Sequence, residues 1–340
     1  STAMNTLLTI SMITREALRV LENSLTFTKQ VSRQFDDKFG VEGAKIGTTL
    51  NVRKPPRYIG RTGQAISIES ATETQVPVVL DTQFGVDLQF SSQDLALSID
   101  DFSDRFIRPA VSAIANKIDA DGLALYKQIY QSVGTPGTVP NTLLAYLQAG
   151  VKLDEAAAPR DGMRSLVISP MMQATIVDAL KGLFQQSSAI ASQYAEGMMG
   201  RAIGFDWYMD QNVATHTYGT YAGAPAVNGA GQTGSTLVTD GWTAGASALN
   251  EGDTFTIAGV YSVNPQSRQS TGSLQSFRVT AAISDTAGAI SIPIEPAIVT
   301  SGSGQTVSGS PADNALLTVT GATGAVSPQG LAFHRDAFTL

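Results

Sequence analysis

Between positions 213 and 330 the chain is written largely in Gly, Ser, Thr, Ala and Val, and it contains no lysine, the last being Lys181. Helical patterns come before this stretch. After it, Leu331-Ala-Phe-His-Arg-Asp-Ala-Phe338 resumes a different character. The stretch reads as a polar β-rich module spliced into another fold. Almost none of its side chains can carry a proton, so display or assembly fits it better than an active site.

At 340 residues the length suggests about two domains and is ample for a core without disulfide or metal staples. Charged residues make up only 15%, against about 25% in ordinary globular chains. Either Ser, Thr and Gly take the place of charge on the surface, or neighbouring subunits hide much of that surface. With no cysteine there are no disulfides, thiolate nucleophiles or Cys-ligated zinc. The net charge of −7 argues against a surface that grips nucleic-acid phosphates. No apolar run of about 18 residues suggests a membrane helix, and the N-terminus lacks the flanks of a secretory signal. Ser1-Thr2-Ala3 reads as a cloning remnant before Met4.

Ile13, Ala17, Val20 and Leu21 share one helical face, with Thr14 as N-cap. Phe27, Val31, Phe35 and Phe39 follow on an arm that must pack on something, its own core or a neighbour. Gly47–Arg53 alternates as a strand ended by Pro55-Pro56. A polar excursion over 54–75, with Arg53, Lys54, Arg57 and Arg61 at its start, leads to a returning strand over Val76–Phe90. Such a hairpin is marginal alone and should lie against another surface. Ser98 caps a helix whose first turns hold Asp100, Asp101 and Asp104, where negative charge suits the macrodipole. Pro109 either kinks this helix or opens a second one, and the pattern runs through 98–131. Asn141 caps a helix with Leu143, Leu144, Leu147 and Val151. Arg164–Ser169 is a buried strand, and Pro170 opens a third helix. A polar loop covers 185–200 and a strand covers Ile203–Met209. Inside the module, strands are expected at Thr254–Tyr261, Gln275–Ile283, Gly288–Ile294 and Ala315–Val319, with Pro293 and Pro296 marking a strand edge.

Chemistry is sparse. Of the two histidines, His216 falls in a linker and His334 in a strand-like motif, so a triad lacks its base. Gly229-Ala-Gly-Gln-Thr-Gly234 matches a dinucleotide fingerprint only literally. No helix comes after it to meet a pyrophosphate, so it reads as a flexible loop. Asp100, Asp101 and Asp104 in one turn suit a solvated helix start better than a metal site. Asp253 and Glu251 read as turn residues. The basic run from Arg53 to Arg61 is a solvated loop, a nucleic-acid contact with only Tyr58 to stack, or a dock for the acidic patch near Asp101 of a neighbour.

Several segments together resemble the major coat protein of short-tailed bacteriophages, the gene-five coat protein family, which has the Hong Kong ninety-seven-type capsid fold. Gly47-Thr-Thr-Leu-Asn-Val-Arg-Lys-Pro55 resembles the strand that leads into that family's extended loop. Met163–Phe184 and Gly200-Arg-Ala-Ile-Gly-Phe205 resemble its axial domain. Leu249–Val260 resembles a strand-turn-strand of its insertion domain, and Leu331–Phe338 the return from it.

The resemblance implies an α+β tailed-phage major capsid fold with an inserted all-β barrel-like domain. It implies an N-terminal arm over 1–50, an extended loop over 51–78, and a peripheral domain over 79–137 with a spine helix over 98–131. It further implies an axial domain over 138–212, a telokin-like insertion over 213–330, and a return strand over 331–340. The family continues beyond the equivalent of Leu340 with strands that complete its domains. In function, the resemblance implies a non-enzymatic subunit without cofactors that assembles with itself into hexamers and pentamers of an icosahedral shell. Scaffolding protein and portal are its further partners, packaged DNA is contained without being read, and no membrane is involved. It would reside in the virion after assembly in the host cytoplasm. Candidate contacts between subunits are Arg53, Lys54, Arg57 and Arg61 with Asp100, Asp101 and Asp104. The rival readings are a β-rich surface adhesin or carbohydrate-binding module on a helical stalk, which would need an aromatic platform around Trp242, and a hydrolase, which the histidine count undercuts.

Overall fold

The computed structural model describes residues 9–33, 49–66, 68, 73–96, 98–180 and 200–339. Phe35, Phe39 and the loop expected over 185–200 (save Gly200) fall outside the described residues. The chain divides into two compact units. One gathers Ser1–Val52, Val76–Leu123 and Arg335–Leu340; the other gathers Arg53–Gln75 and Ala124–His334.

In the first unit, α1 (Ile10–Ser24) begins at Thr9, whose hydroxyl accepts the Met12 N–H. Thr14, the expected cap, lies one turn inside the helix and donates its hydroxyl to the Ile10 carbonyl at 2.8 Å. Thr9 takes the role because its backbone is still extended, as a cap requires. Val20 is buried, flanked by Ile13, Ala17 and Leu21, against Phe102, Ile107 and Val111. Strands β1 (Thr49–Arg53) and β2 (Gln75–Val79) form a two-stranded ladder. The returning strand expected to reach Phe90 stops at Val79, and residues 80–90 make no ladder. Alternation alone cannot sustain a strand when its partner β1 is five residues long and gives way to Pro55-Pro56. Phe84 and Leu88 are exposed, while Phe90 meets the Phe102 ring edge-on at 5.4 Å.

The long helical pattern is one run in three pieces. The first, α2 (Ile99–Phe102), is capped by Ser98, whose Oγ accepts the Asp101 N–H at 3.2 Å. A π turn comes next over Ser103–Ile107, then α3 (Arg108–Leu123). Pro109, second in α3, has no N–H to give to the preceding turn, and the wider π turn sits where that bond would fall. Buried Asp119 on α3 accepts the Thr26 N–H at 2.8 Å, the Thr28 N–H at 3.1 Å and the Thr28 hydroxyl at 3.0 Å. This clasp holds the arm where Phe27 and Val31 are buried.

Beyond Arg53–Gln75, the second unit resumes with a 3-10 turn at Ala124–Gln128, where helical structure ends three residues short of the expected 131. Its elements continue with α4 (Leu143–Glu155), β3 (Arg164–Ile168), α5 (Pro170–Leu180), β4 (Arg201–Ala202) and β5 (Phe205–Met209). Next come β6 (Thr215–Thr217), β7 (Gly223–Val227), β8 (Gly234–Trp242), β9 (Ala248–Leu249), β10 (Thr254–Val263) and β11 (Ser270–Val279). The remainder are β12 (Ile283–Ser284), β13 (Ile290–Ile298), β14 (Leu317–Val319), β15 (Val326–Pro328) and β16 (Leu331–His334).

A four-stranded sheet runs β16-β3-β5-β4, with β3 and β5 parallel. Ile203 and Gly204, both at positive φ, make the two-residue turn that joins β4 to β5. Tyr146, Leu166, Ile168, Met172, Ile176, Phe205 and Trp207 form the core on this sheet. The N-cap of α4 is Thr142 and not Asn141. The helix buries Tyr146 and Ala149, leaving Leu144, Leu147 and Val151 as an exposed apolar stripe. Those three residues had the right spacing for a core face, but the face that packs carries Leu143, Tyr146 and Leu153, with the Tyr146 ring 4.9 Å from Trp207.

The larger sheet runs β14-β10-β11-β13-β8-β7. An Ala226–Leu316 bridge and the Val227 N–H to Ala315 carbonyl bond bring its two ends together, so the sheet is nearly a closed barrel. Closure removes open edges. The barrel buries Leu237, Trp242, Phe255, Ile257, Phe277, Ile292 and their neighbours. Pro293 and Pro296 do not mark an edge: β13 lies inside the sheet, between β11 and β8. It pairs with β8 over 290–293 and again at Ile298, and with β11 at Ile294 and Glu295. Pro293 therefore sits where the strand changes partners, and its carbonyl still accepts the Thr280 N–H.

Candidate functional site

A first set of charged residues lies on two separate segments, the basic loop and the acidic helix start. Arg53 pairs with Glu73 at 3.4 Å across the excursion, and both side chains are mostly in water. Lys54 N–H closes the last ladder bond to the Thr74 carbonyl. Arg61 folds onto the Gly63 carbonyl. Tyr58 and Ile59 stand exposed between them. On the helix start, Asp101 accepts the Ser98 hydroxyl at 2.7 Å, Asp104 pairs with Arg108 at 3.0 Å, and Asp100 is exposed. Exposed pairs of this kind add little stability and exchange partners readily. Among the described residues, no group of three or more His, Asp or Glu could hold a metal ion.

The second arrangement was illegible in the sequence. The strand entering the module, β6, pairs antiparallel with the strand leaving it, β15. Tyr218 N–H to the Ala325 carbonyl and Gly324 N–H to the Gly219 carbonyl extend the same stem. His216 lies in β6, not in a linker, and is 3% exposed. Its Nδ1 sits 2.8 Å from the Tyr126 hydroxyl and its Nε2 2.8 Å from Asp253 Oδ1. Asp253, expected as an ordinary turn residue, is 1% exposed. Its Oδ2 accepts the Gly219 N–H at 3.0 Å and the Asn250 N–H at 2.8 Å. A carboxylate acts here as the hub of a joint between the 3-10 turn, the stem and the barrel strand β10. Gly219 must lack a side chain, because a Cβ there would lie 2.2 Å from the Ala248 carbonyl oxygen. The Asp253 carboxylate can only accept, so Nε2–H donates to it, and a neutral imidazole then accepts the Tyr126 hydroxyl at Nδ1; burial pushes that hydroxyl up to about 12.

No substrate can reach this trio, since all three residues are buried; what the arrangement does is fix the module's attachment. His334 is equally structural, with Nε2 at 3.1 Å from both Asp161 oxygens. The Gly229–Gly234 match is the β7–β8 connection and leads into a strand. Gln232 pins it by donating to the Asn228, Gly229 and Val238 carbonyls and accepting the Val238 N–H. Trp242, the aromatic an adhesin reading would need on the surface, is buried, with Nε1–H on Thr239 Oγ1 at 2.9 Å.

A family model described as "P22 coat protein - gene protein 5" matches residues 3–340. No curated protein matches the chain. Among solved structures, the CUS-3 coat protein I-domain is similar at 24% identity, covering 29% of this chain and 96% of that one, with a TM-score of 0.22. A structure from Mycobacterium phage Che8 is similar at 14% identity, covering 92% of this chain and 91% of that one, with a TM-score of 0.38.

Proposed function

The chain belongs to the P22 coat protein family, and from that membership we infer how this phage capsid subunit assembles. The match across residues 3–340 carries the reading. The family's role is structural: copies associate into the capsid, and the protein resides in the virion. Those copies form hexamers and pentamers that close into an icosahedral shell. Heterologous contacts around a ring close on themselves, and many weak contacts sum through multivalency. Assembly takes place in the host cytoplasm, with a scaffolding protein and a portal as further partners, and the chain performs no catalysis.

The segments are assigned as arm 1–50, extended loop 51–78, peripheral domain 79–137, axial domain 138–212, inserted β domain 213–330 and return strand 331–340. In support of the inserted domain, the barrel core and the hydrophobic residues packed on it come, among the described residues, from Tyr221–Val319. Arg53, Lys54, Arg57 and Arg61 dock on Asp100, Asp101 and Asp104 of a neighbouring copy. The exposure of both sets and the weakness of their internal pairs support this contact.

Electron microscopy of the purified protein tests the reading. Rings or shells are expected, and a strictly monomeric protein at high concentration with a scaffold supplied would refute it. Reversing Arg53, Arg57 and Arg61 to Glu should block assembly with an unchanged circular dichroism spectrum; normal shells would remove the electrostatic dock.

A further inference from the structure

Strands β10 and β11 are ten residues each, yet their sheet neighbours hold only one end of them. β14 pairs with 255–257 of β10, and β13 pairs with Arg278 and Val279 of β11. Beyond that, the hairpin carries the pairs Tyr261–Leu274 and Val263–Ser270 and the loop 264–269. Its outer flank is touched by Ser262–Val307 and by the Ser308 N–H to Tyr261 carbonyl bond.

The tip of this hairpin is built. Asn264 Oδ1 accepts the Gln266 and Ser267 N–H groups at 2.9 and 3.2 Å, and the Asn264 carbonyl accepts the Arg268 N–H at 2.7 Å. Arg268 is left at φ +56°, a conformation costly for a long side chain. From there Arg268 Nη2 donates to the Tyr58 carbonyl at 2.8 Å. The shank is fixed separately, by the Ser273 hydroxyl donating to Glu155 Oε1 at 2.7 Å.

We propose that the tip of the β10–β11 hairpin is a docking cradle for the chain's own extended loop, with Arg268 holding the Tyr58 backbone until assembly draws the loop away. A loop bearing four cations within 53–61 repels itself, and a two-stranded excursion is marginal alone. A carbonyl held by a guanidinium gives it an address. Because that bond is exposed, it is weak enough to exchange for a neighbour's surface. Arg268 Nε is buried and makes no hydrogen bond among the described residues, so the hold rests on Nη2. The cradle concerns the isolated chain; its release on assembly rests on the coat-protein reading.

The cradle is tested on unassembled full-length protein by limited trypsin digestion, following cleavage after Arg57 and Arg61 by mass spectrometry. Arg268→Ala should speed both cleavages by about threefold, the factor expected for one modest hydrogen bond, and equal rates would overturn the cradle. Independently of that variant, the cysteine-free chain takes spin labels at Tyr58→Cys and Gln266→Cys. A short, single distance is expected, and a long, broad distribution overturns the proposal. In the assembly assay Arg268→Ala should shorten the lag. An unchanged lag with faster cleavage overturns the release step, whereas no assembly by the unsubstituted protein counts against the coat reading and not the cradle.

Discussion

Replacing Asp253 should loosen the inserted module from the inside. In Asp253→Ala, the His216 Nε2–H and the N–H groups of Gly219 and Asn250 lose their acceptor in a dry site. Each buried donor without a partner costs about 1–3 kcal/mol. Part of this is offset because a carboxylate no longer has to be desolvated. The net cost is about 3–5 kcal/mol, the usual range for breaking one side of a buried pair.

Asp253→Asn is the informative companion. Its amide oxygen can take the position that receives the two backbone N–H groups, but its NH2 then faces His216. The imidazole must become an acceptor at Nε2 and donate from Nδ1 to the Tyr126 oxygen. The tautomer flips and the Tyr126 hydroxyl loses its acceptor at Nδ1, so about 1–2 kcal/mol is expected. The chain has two tryptophans, one in each core of the second unit: Trp207 on the four-stranded sheet and Trp242 in the barrel. In a Trp207→Phe background, fluorescence reports the barrel alone. At a urea dependence of about 2 kcal/mol/M, Asp253→Ala should lower the barrel midpoint by about 1.5–2.5 M. Nitrogen-15 shifts of His216 should move to the other tautomer in Asp253→Asn. A midpoint for Asp253→Ala within about 0.5 M of the unsubstituted protein would refute the hub argument.

Tyr146→Phe should be neutral or stabilising by up to about 1 kcal/mol, because the Tyr146 hydroxyl is buried with no hydrogen bond among the described residues; a clear loss in urea midpoint would show that the hydroxyl has a partner. Glu16 is held down to about 2, first by its hydrogen bond from Arg19 and then by Ser103, and Asp154 to about 2, first by Arg160 and, after the opposing effect of burial, by Arg164. Both folded values lie below the ordinary 4.5 and 3.8, so their stabilisation is complete above those values and disappears as pH falls toward about 2. A Glu16→Gln variant should therefore lose less stability than the unsubstituted protein over that window; parallel losses would contradict the assignment. Isolated 213–330 should fold with Trp242 buried, and a disordered spectrum would deny the barrel its independence.

Local signals were legible and distant ones were not. The apolar face of α1, the run from Ser98 and the strand before Pro170 follow from spacing, caps and proline chemistry within a few residues. Thr9 and Thr14 differ only in which backbone is still extended, which depends on where the helix packs. The stripe Leu144-Leu147-Val151 had the same helical spacing as a core face, and only tertiary packing put the face with Leu143, Tyr146 and Leu153 inside. The His216 joint draws on Tyr126 and Asp253, 90 and 37 residues away. The one local hint was the Asn250-Glu-Gly-Asp253 turn, where an aspartate directly before a buried strand is itself a candidate for burial. Pro293 misled for a related reason: a residue without an N–H is excluded from a ladder only where that ladder asks for one.

The stem formed by β6 and β15 brings the two ends of the insertion side by side, so the covalent path into and out of Tyr218–Ala325 runs through one pair of antiparallel backbones. Geometrically, a tight turn could bridge the severed strands without disturbing the register of β3 against β16. On that geometry the barrel is a graft whose size can change while the host sheet keeps its pairing.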